Sequence, residues 1–88
     1  MMNLVWFKRP DGRGQGSIVK SGRNMRVLTD YAVLHEAANK WRVVIDGIPS
    51  TELTATMKES KAVCQKHFNM TYGKQRGKVT KEAVWIDA

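Results

Sequence analysis

The first residues that could do chemistry are a run of cations and glycines near the N-terminus. The stretch FKRPDGRGQGSIVK, residues 7–20, places four cations and three glycines around one proline. Glycines that precede a helix can cradle a phosphate, because the first amides of the helix point at the anion. Here the glycines precede Ser-Ile-Val-Lys, which favours a strand. The spacing therefore does not match a dinucleotide fingerprint or a P-loop, and it predicts a basic glycine-rich hairpin loop over residues 9–16.

A cysteine and a histidine three residues apart, Cys64 and His67, are the second candidate. On a helix this spacing brings two side chains together as half of a metal site, but tetrahedral zinc needs four ligands and the chain has one further histidine, His35. Nucleophilic catalysis by such a pair also needs an orienting third group. We therefore expect no metal and no other cofactor. Cys64 is predicted to pack in the core, and His67 to end a helix, where the dipole favours it.

The remaining composition argues against an enzyme and for a cytoplasmic protein. The eight carboxylates are scattered, so no pair is spaced for general acid–base catalysis. The single cysteine suits a reducing compartment, and neither a signal peptide nor a membrane span is visible. These features predict a non-enzymatic protein of the cytoplasm, or of the host cytoplasm if a phage encodes it, without a membrane partner.

Positive charge is concentrated at the two ends of the chain. The net charge is +7; residues 1–26 carry six cations against one carboxylate, residues 27–57 two against four, and residues 58–88 seven against three. Such a surplus favours polyanionic partners, and it predicts nucleic-acid binding. The candidate binding residues are Lys8, Arg9, Arg13, Lys20, Arg23, Arg26, Lys40, Arg42, Lys74, Arg76 and Lys78.

The elements that must position these cations are mostly strands. Residue types predict strands over residues 2–8, 17–20 and 40–46. Residues 25–36 are compatible with a strand or with a helix capped by Asp30, and the strong strand that follows favours a strand, joined through a turn at residues 37–39. Asp46-Gly47 is a two-residue hairpin signal, after which residues 48–55 return as a strand with Pro49 at its start or at a sheet edge.

A capping box, Thr56-Met57-Lys58-Glu59, predicts a helix from Met57 to Phe68 that stops at Asn69. Residues 70–82 are predicted to be a basic flexible segment, and residues 84–86 to dock back as a short strand. The whole chain is then one α+β domain. It is an antiparallel β-meander of three to five strands, packed on one face by a single helix in the C-terminal half. The opposite sheet face is left open for binding.

In this predicted fold, the aromatic residues are candidates either for core packing or for stacking on a ligand. Trp6 and Trp41 lie in apolar strand contexts and are predicted to be in the core. Tyr31 and Tyr72 are candidate platforms on which nucleic-acid bases could stack.

Residues 40–68, KWRVVIDGIPSTELTATMKESKAVCQKHF, combine an aromatic strand containing Trp41, a glycine turn at Gly47 and a Thr-x-x-Glu helix start at Thr56. This pattern resembles the arm-type DNA-binding domain of tyrosine integrases, an AP2-like three-stranded sheet backed by a helix. The resemblance implies that the open sheet face enters the major groove and that Lys40 and Arg42 touch DNA. It covers about a third of the chain. No integrase catalytic region follows, which is typical of a small accessory protein of a phage or mobile element.

Three functional hypotheses result. The first is a small basic nucleic-acid-binding accessory protein, with DNA favoured over RNA. The second is a protein-binding modulator or inhibitor of a host enzyme, which would act through the exposed sheet face or an edge strand. The third is a homodimer that gains stability through an apolar sheet face.

Overall fold

The computed structural model describes residues 3–73, 77–79 and 83–86. These residues form an α+β fold with a single helix packed on a largely antiparallel sheet, as predicted. The elements are β1 (Phe7–Lys8), β2 (Gly14–Ser21), β3 (Val27–Ala37), β4 (Lys40–Ile45), β5 (Ile48–Thr54), α1 (Met57–Tyr72), β6 (Gly77–Val79) and β7 (Ala83–Ile86).

The strand order is β5-β4-β3-β2-β7-β6, and β1 also pairs with β2. Strands β2 to β5 follow one another as an antiparallel meander. Strand β7 instead lies parallel to β2, with Ile18 opposite Ala83 and Ser21 opposite Ile86. The pairs Phe7–Gly16 and Lys8–Gln15 place β1 beside the first half of β2, so β1 and β7 share one edge of β2 in series.

The ambiguous segment at residues 25–36 is a strand. Thr29, Tyr31 and Val33 alternate along β3 and are buried toward the helix, so the period-2 pattern prevails over the local helix propensity. The tight turns predicted on either side of β4 are confirmed. Asn39 has φ 59°, and Asp46-Gly47 has φ 53° and 79°, the left-handed values that a two-residue type I′ hairpin requires.

The N-terminal strand is much shorter than predicted, because only Phe7 and Lys8 of residues 2–8 pair with the sheet. The preceding apolar residues are used for packing against the helix. Leu4 is buried, and its N–H donates to Gln65 Oε1 of α1 at 2.8 Å. Val5 and Trp6 pack against the same core. An apolar run of this length is equally compatible with a strand and with a segment that packs on a helix, so the sequence pattern does not separate the two.

The helix begins as predicted and ends later. Thr56 Oγ1 accepts the N–H of Glu59 at 3.1 Å, while the Glu59 carboxylate accepts the N–H of Ala55, one residue before the expected partner. The predicted stop at Asn69 is wrong, since Asn69 Oδ1 accepts a hydrogen bond from Gln65 and α1 continues to Tyr72. Packing of the last turn against the sheet outweighs the local stop signal.

The predicted flexible segment, residues 70–82, begins inside this helix. Residues 70–72 complete α1, and residues 77–79 form β6. The remainder, residues 74–76 and 80–82, lies outside the described part of the chain.

The core lies between α1 and one face of the sheet. It is formed by apolar side chains from the N-terminal segment, four strands and the helix. They are Leu4, Val19, Tyr31, Val33, Val43, Cys64, Phe68, Val84 and Ile86. The opposite face is covered by no described helix.

Candidate nucleic-acid interface

The open face of the sheet is built around β2. Alternation along β2 places Gly16, Ile18 and Lys20 on the side away from the core residue Val19. The aromatic ring of Phe7 lies over Gly16: a Cβ added to that glycine would be 3.1 Å from the ring. Glycine at this position therefore lets the ring pack against the sheet.

Lys20 and Trp85 form an aromatic–cation pair on this face. They are register neighbours in the parallel β2–β7 pair, and the Lys20 ammonium lies 5.5 Å from the centre of the Trp85 ring. The negative face of an indole attracts an ammonium group at this distance. The contact holds one positive charge and one large ring side by side, each partly accessible.

A cleft of about 360 Å³ lies next to this pair, lined by Phe7, Lys8, Ile18 and Lys20. Its lining combines an aromatic residue and an aliphatic residue with two lysines, and no acidic residue is among the described residues that line it. Such a lining offers apolar area for a base or sugar and positive charge for a phosphate.

The β2–β3 turn carries two more cations beyond Lys20. Arg23 and Arg26 are both exposed, and neither forms an ion pair among the described residues. We call Lys8, Lys20, Arg23 and Arg26 the basic strip; it follows the β1/β7 edge of β2 and continues into the turn.

Two of the predicted binding residues are already occupied by carboxylates. Arg9 forms an ion pair with Asp11 at 3.2 Å. Arg42 makes a two-pronged contact with Glu36, and its guanidinium also donates to the carbonyl of Ser50. The hydrogen bond from Arg42 holds the pKa of Glu36 below its usual range. Arg42 is therefore not free to contact DNA in the way that the integrase resemblance implies.

Of the other predicted cations, Arg13 lies near the Lys8 end of the basic strip, because Lys8 pairs with Gln15. Arg13 is exposed at the β1–β2 tip, where its carbonyl accepts the N–H of His35 at 2.7 Å, and Lys40 is exposed at the same end of the sheet. About seven residue steps along β2, or ~23 Å, separate this end from the β2–β3 turn. Lys78 belongs to β6, where its backbone pairs with Trp85. Lys74 and Arg76 lie outside the described residues.

A second, smaller cleft of about 180 Å³ lies on the open face beneath Arg9. Asp30 and the apolar residues Ala32, Leu34 and Val44 line it with Arg9. Burial raises the pKa of Asp30 even though Arg9 opposes the shift. A carboxylate at this point offsets the arginine charge, so this cleft suits a polyanion less well than the basic strip does.

The two predicted stacking tyrosines are structural. Tyr31 is fully buried, and burial raises its pKa; its hydroxyl bonds to His67 Nδ1 at 2.7 Å. The Tyr72 hydroxyl pairs with Thr29, and its ring packs against Phe68. The prediction that these tyrosines stack on bases is wrong for Tyr31 and is disfavoured for Tyr72 by these contacts.

The aromatic residues that do reach the open face are Phe7 and Trp85. The adjacency of Phe7 to two cations in the sequence is a signal that could have identified it. Trp85 reaches the site only through the parallel pairing of β7 with β2, which no local pattern encodes. The other tryptophans are both half-buried on the opposite side, Trp6 against the core and Trp41 stacked on His35 with 4.5 Å between ring centres.

The Cys64–His67 pair is used for packing. Cys64 is completely buried, which raises the pKa of its thiol to about 12. His67 was predicted at the helix end, but α1 continues five residues further and His67 bonds to Tyr31 instead. Among the described residues, no three His, Cys, Asp or Glu side chains are grouped to hold a metal ion.

Comparisons with known proteins add no relative. The chain matches no protein-family model, no curated protein and no solved structure. The resemblance to integrase arm-type domains therefore stays a prediction. No helix within the described ranges is long and apolar enough to cross a membrane.

Proposed function

We propose that this protein is a small non-enzymatic nucleic-acid-binding accessory protein, of the type that phages and mobile elements encode. Duplex DNA is its proposed ligand, with the basic strip as the contact surface. The observation that carries this proposal is the cleft that Lys8 and Lys20 line together with Phe7. Neither lysine has a carboxylate partner among the described residues.

The cations and the aromatic residues of the site have different roles in the proposed binding. The four cations of the basic strip neutralise phosphates and set the position of the ligand without reading its sequence. Phe7 and Trp85 supply the apolar contact area between those charges. Because Arg9 and Arg42 are held by Asp11 and Glu36, their replacement should weaken binding less than replacement of Lys20 or Arg23.

Fluorescence anisotropy with a labelled duplex, titrated across salt concentrations, tests this proposal. Each cation that contacts a phosphate contributes about 0.9 to the slope of log K against log salt. Lys20→Gln and Arg23→Gln should each lower the slope by roughly one contact. Lys58→Gln and Lys66→Gln are matched controls, since both lysines are exposed on α1. No binding at low salt, or equal losses in all four variants, would reject the proposal.

A second candidate function, modulation of a host enzyme by protein binding, is supported by the outer strand β5. Among the described strands β5 pairs with β4 alone, and Ile48 at its start is 72% exposed. Next to it lies a groove of about 320 Å³ with a largely apolar lining, formed by Val43, Ile45, Ile48 and Pro49 together with Asp46, Ser50 and His67. An edge strand beside an apolar groove can pair with a strand of another protein.

A pull-down from nuclease-treated lysate tests this second candidate. A stoichiometric protein partner that is retained by the wild type and lost with Ile48→Asp would support it, with Val63→Asp as the control on the exposed side of α1. Light scattering of the purified protein separates self-association from a foreign partner. A dimer that Ile48→Asp dissociates would instead indicate pairing of two copies.

A further inference from the structure

The β2–β3 turn, residues 22–26, displays an apolar side chain in an unfavourable place. Met25 is 62% exposed, and its backbone has φ 60°. The left-handed region is disfavoured for residues with a Cβ, and methionine gains nothing from burial here. Because both the exposure and the positive φ disfavour methionine at this position, Met25 is more easily explained by a role in binding than by a role in stabilising the fold.

This turn is held firmly by hydrogen bonds. The N–H of Met25 donates to the carbonyl of Ser21 at 2.9 Å, and the N–H of Ser21 donates to the carbonyl of Arg26 at 2.8 Å. Gly22 donates to the carbonyl of Ile86 at 2.7 Å, which ties the turn to β7. Asn24 Oδ1 accepts the N–H of Arg26 at 3.0 Å. These hydrogen bonds fix the backbone of the turn, from which the exposed Met25 side chain projects.

The surroundings of Met25 indicate the kind of partner. Arg23 and Arg26 stand on either side of it in the sequence, Asn24 precedes it, and the exposed Val27 follows. Duplex DNA offers the complementary arrangement, since anionic phosphates line each groove and apolar base faces lie between them. Methionine is among the side chains that wedge between base pairs from the minor groove, and Arg and Asn are among those that contact its floor and walls.

We propose that the β2–β3 turn is a minor-groove wedge, in which Met25 enters a base step while Arg23 and Arg26 hold the adjacent backbone. This inference rests on the proposed DNA-binding function and adds a mode of binding to it. Insertion partly unstacks the step and kinks the duplex away from the protein. The Lys20–Trp85 pair then meets the kinked strand, since Lys20 lies on β2 two residues before the turn.

Resonance energy transfer between the two ends of an A·T-rich duplex of about 30 base pairs measures the kink. A 2-aminopurine placed at successive steps reports unstacking. The wild type should shorten the end-to-end distance and brighten the probe at one step. Met25→Gly removes the side chain and suits the positive φ, so it should fold normally. We expect it to abolish the kink and to weaken binding roughly tenfold, with an unchanged salt slope.

Met70→Ala is the matched control, because Met70 is 78% exposed on α1 and should not affect bending. A wild-type protein that does not bind the duplex would reject the proposed function itself. A wild type that binds without bending, or a Met25→Gly variant that bends as the wild type does, would overturn only the wedge. Met25-dependent binding to vesicles of anionic lipid, with no bending of DNA, would also overturn the wedge.

Discussion

The hydroxyl of Tyr31 lies 2.7 Å from Nδ1 of His67, and this hydrogen bond joins the central strand β3 to the helix. The two rings meet edge to face, with 5.5 Å between their centres. Because Tyr31 is fully buried, its hydroxyl needs a partner inside the protein, and the histidine supplies it. Together with the Thr29–Tyr72 contact, the pair helps to hold α1 on the sheet.

Replacement of Tyr31 by phenylalanine should lower the free energy of unfolding by about 1 kcal/mol, the net value of one intramolecular hydrogen bond. The ring and its packing are kept, so the loss reports the hydroxyl. Urea unfolding of Tyr31→Phe, His67→Ala and the double variant gives the coupling between the two side chains. Strictly additive losses would mean that the hydrogen bond contributes nothing.

The pairing of Glu36 with Arg42 predicts a pH-dependent part of the stability. The pKa of Glu36 lies below its ordinary value of 4.5, chiefly because Arg42 hydrogen bonds to the carboxylate. The stabilisation is therefore complete above the unfolded pKa and is lost as the pH falls through the lower folded pKa. Glu36→Gln should reduce the melting temperature at neutral pH, and the difference should vanish in acid.

Glu52→Gln serves as the control for this pH effect, because Glu52 is exposed and has no ion pair among the described residues. Melting curves measured from about pH 7 down to about pH 3 span the relevant window. An unchanged difference between wild type and Glu36→Gln across that window would contradict the prediction.

Gly12 and Gly14, both within residues 7–20, should respond differently to replacement by alanine. A Cβ on Gly14 would lie 1.9 Å from the carbonyl oxygen of Val33, so Gly14→Ala must disrupt the pairing of β2 with β3. Gly12 has open space around it and φ +70°, so Gly12→Ala should cost only the left-handed conformation, about 1–2 kcal/mol. We expect Gly14→Ala to cost at least about 3 kcal/mol. Equal losses in urea unfolding would refute this ranking.

The buried thiol of Cys64 should report opening of the helix. Burial raises its pKa to about 12, and the thiolate is the reactive form, so native protein should react with a thiol reagent only when α1 opens. A cysteine at the exposed position of Ala62, in a Cys64→Ala background, should react at least about 100-fold faster. Similar labelling rates at the two positions would show that Cys64 is accessible in the native state.

Local sequence signals predicted the β-meander. The features that they did not predict depend on contacts between residues far apart in the chain. The Asp46-Gly47 turn, the Asn39 turn and the Thr56 cap depend on neighbouring residues, and each lies where the sequence places it. The parallel β2–β7 pair joins residues about 65 positions apart, and no short pattern specifies such a contact. The end of α1 was missed for a related reason, since packing of Tyr72 against the sheet overrides Asn69.

The candidate site was likewise predicted only in part from the sequence. Composition identified the cations, but only the register reveals that Arg42 lies within reach of Glu36 and that Lys20 lies beside Trp85. Gly14 falls within the loop predicted over residues 9–16, whereas it begins β2 and its backbone approaches Val33 too closely for any side chain. Close approach between strands depends on the sheet, which the local sequence does not contain.

The parallel β2–β7 pair has a consequence for the order of assembly. The hairpins from β2 to β5 close over short loops, whereas β7 must find β2 across most of the chain and pays a larger loop-closure entropy. Strand β7 is then expected to join last and to detach first in native-state hydrogen exchange. Because Trp85 lies on it, a ligand bound at Lys20 and Trp85 would slow that detachment, so exchange of the β7 amides would register occupancy of the site.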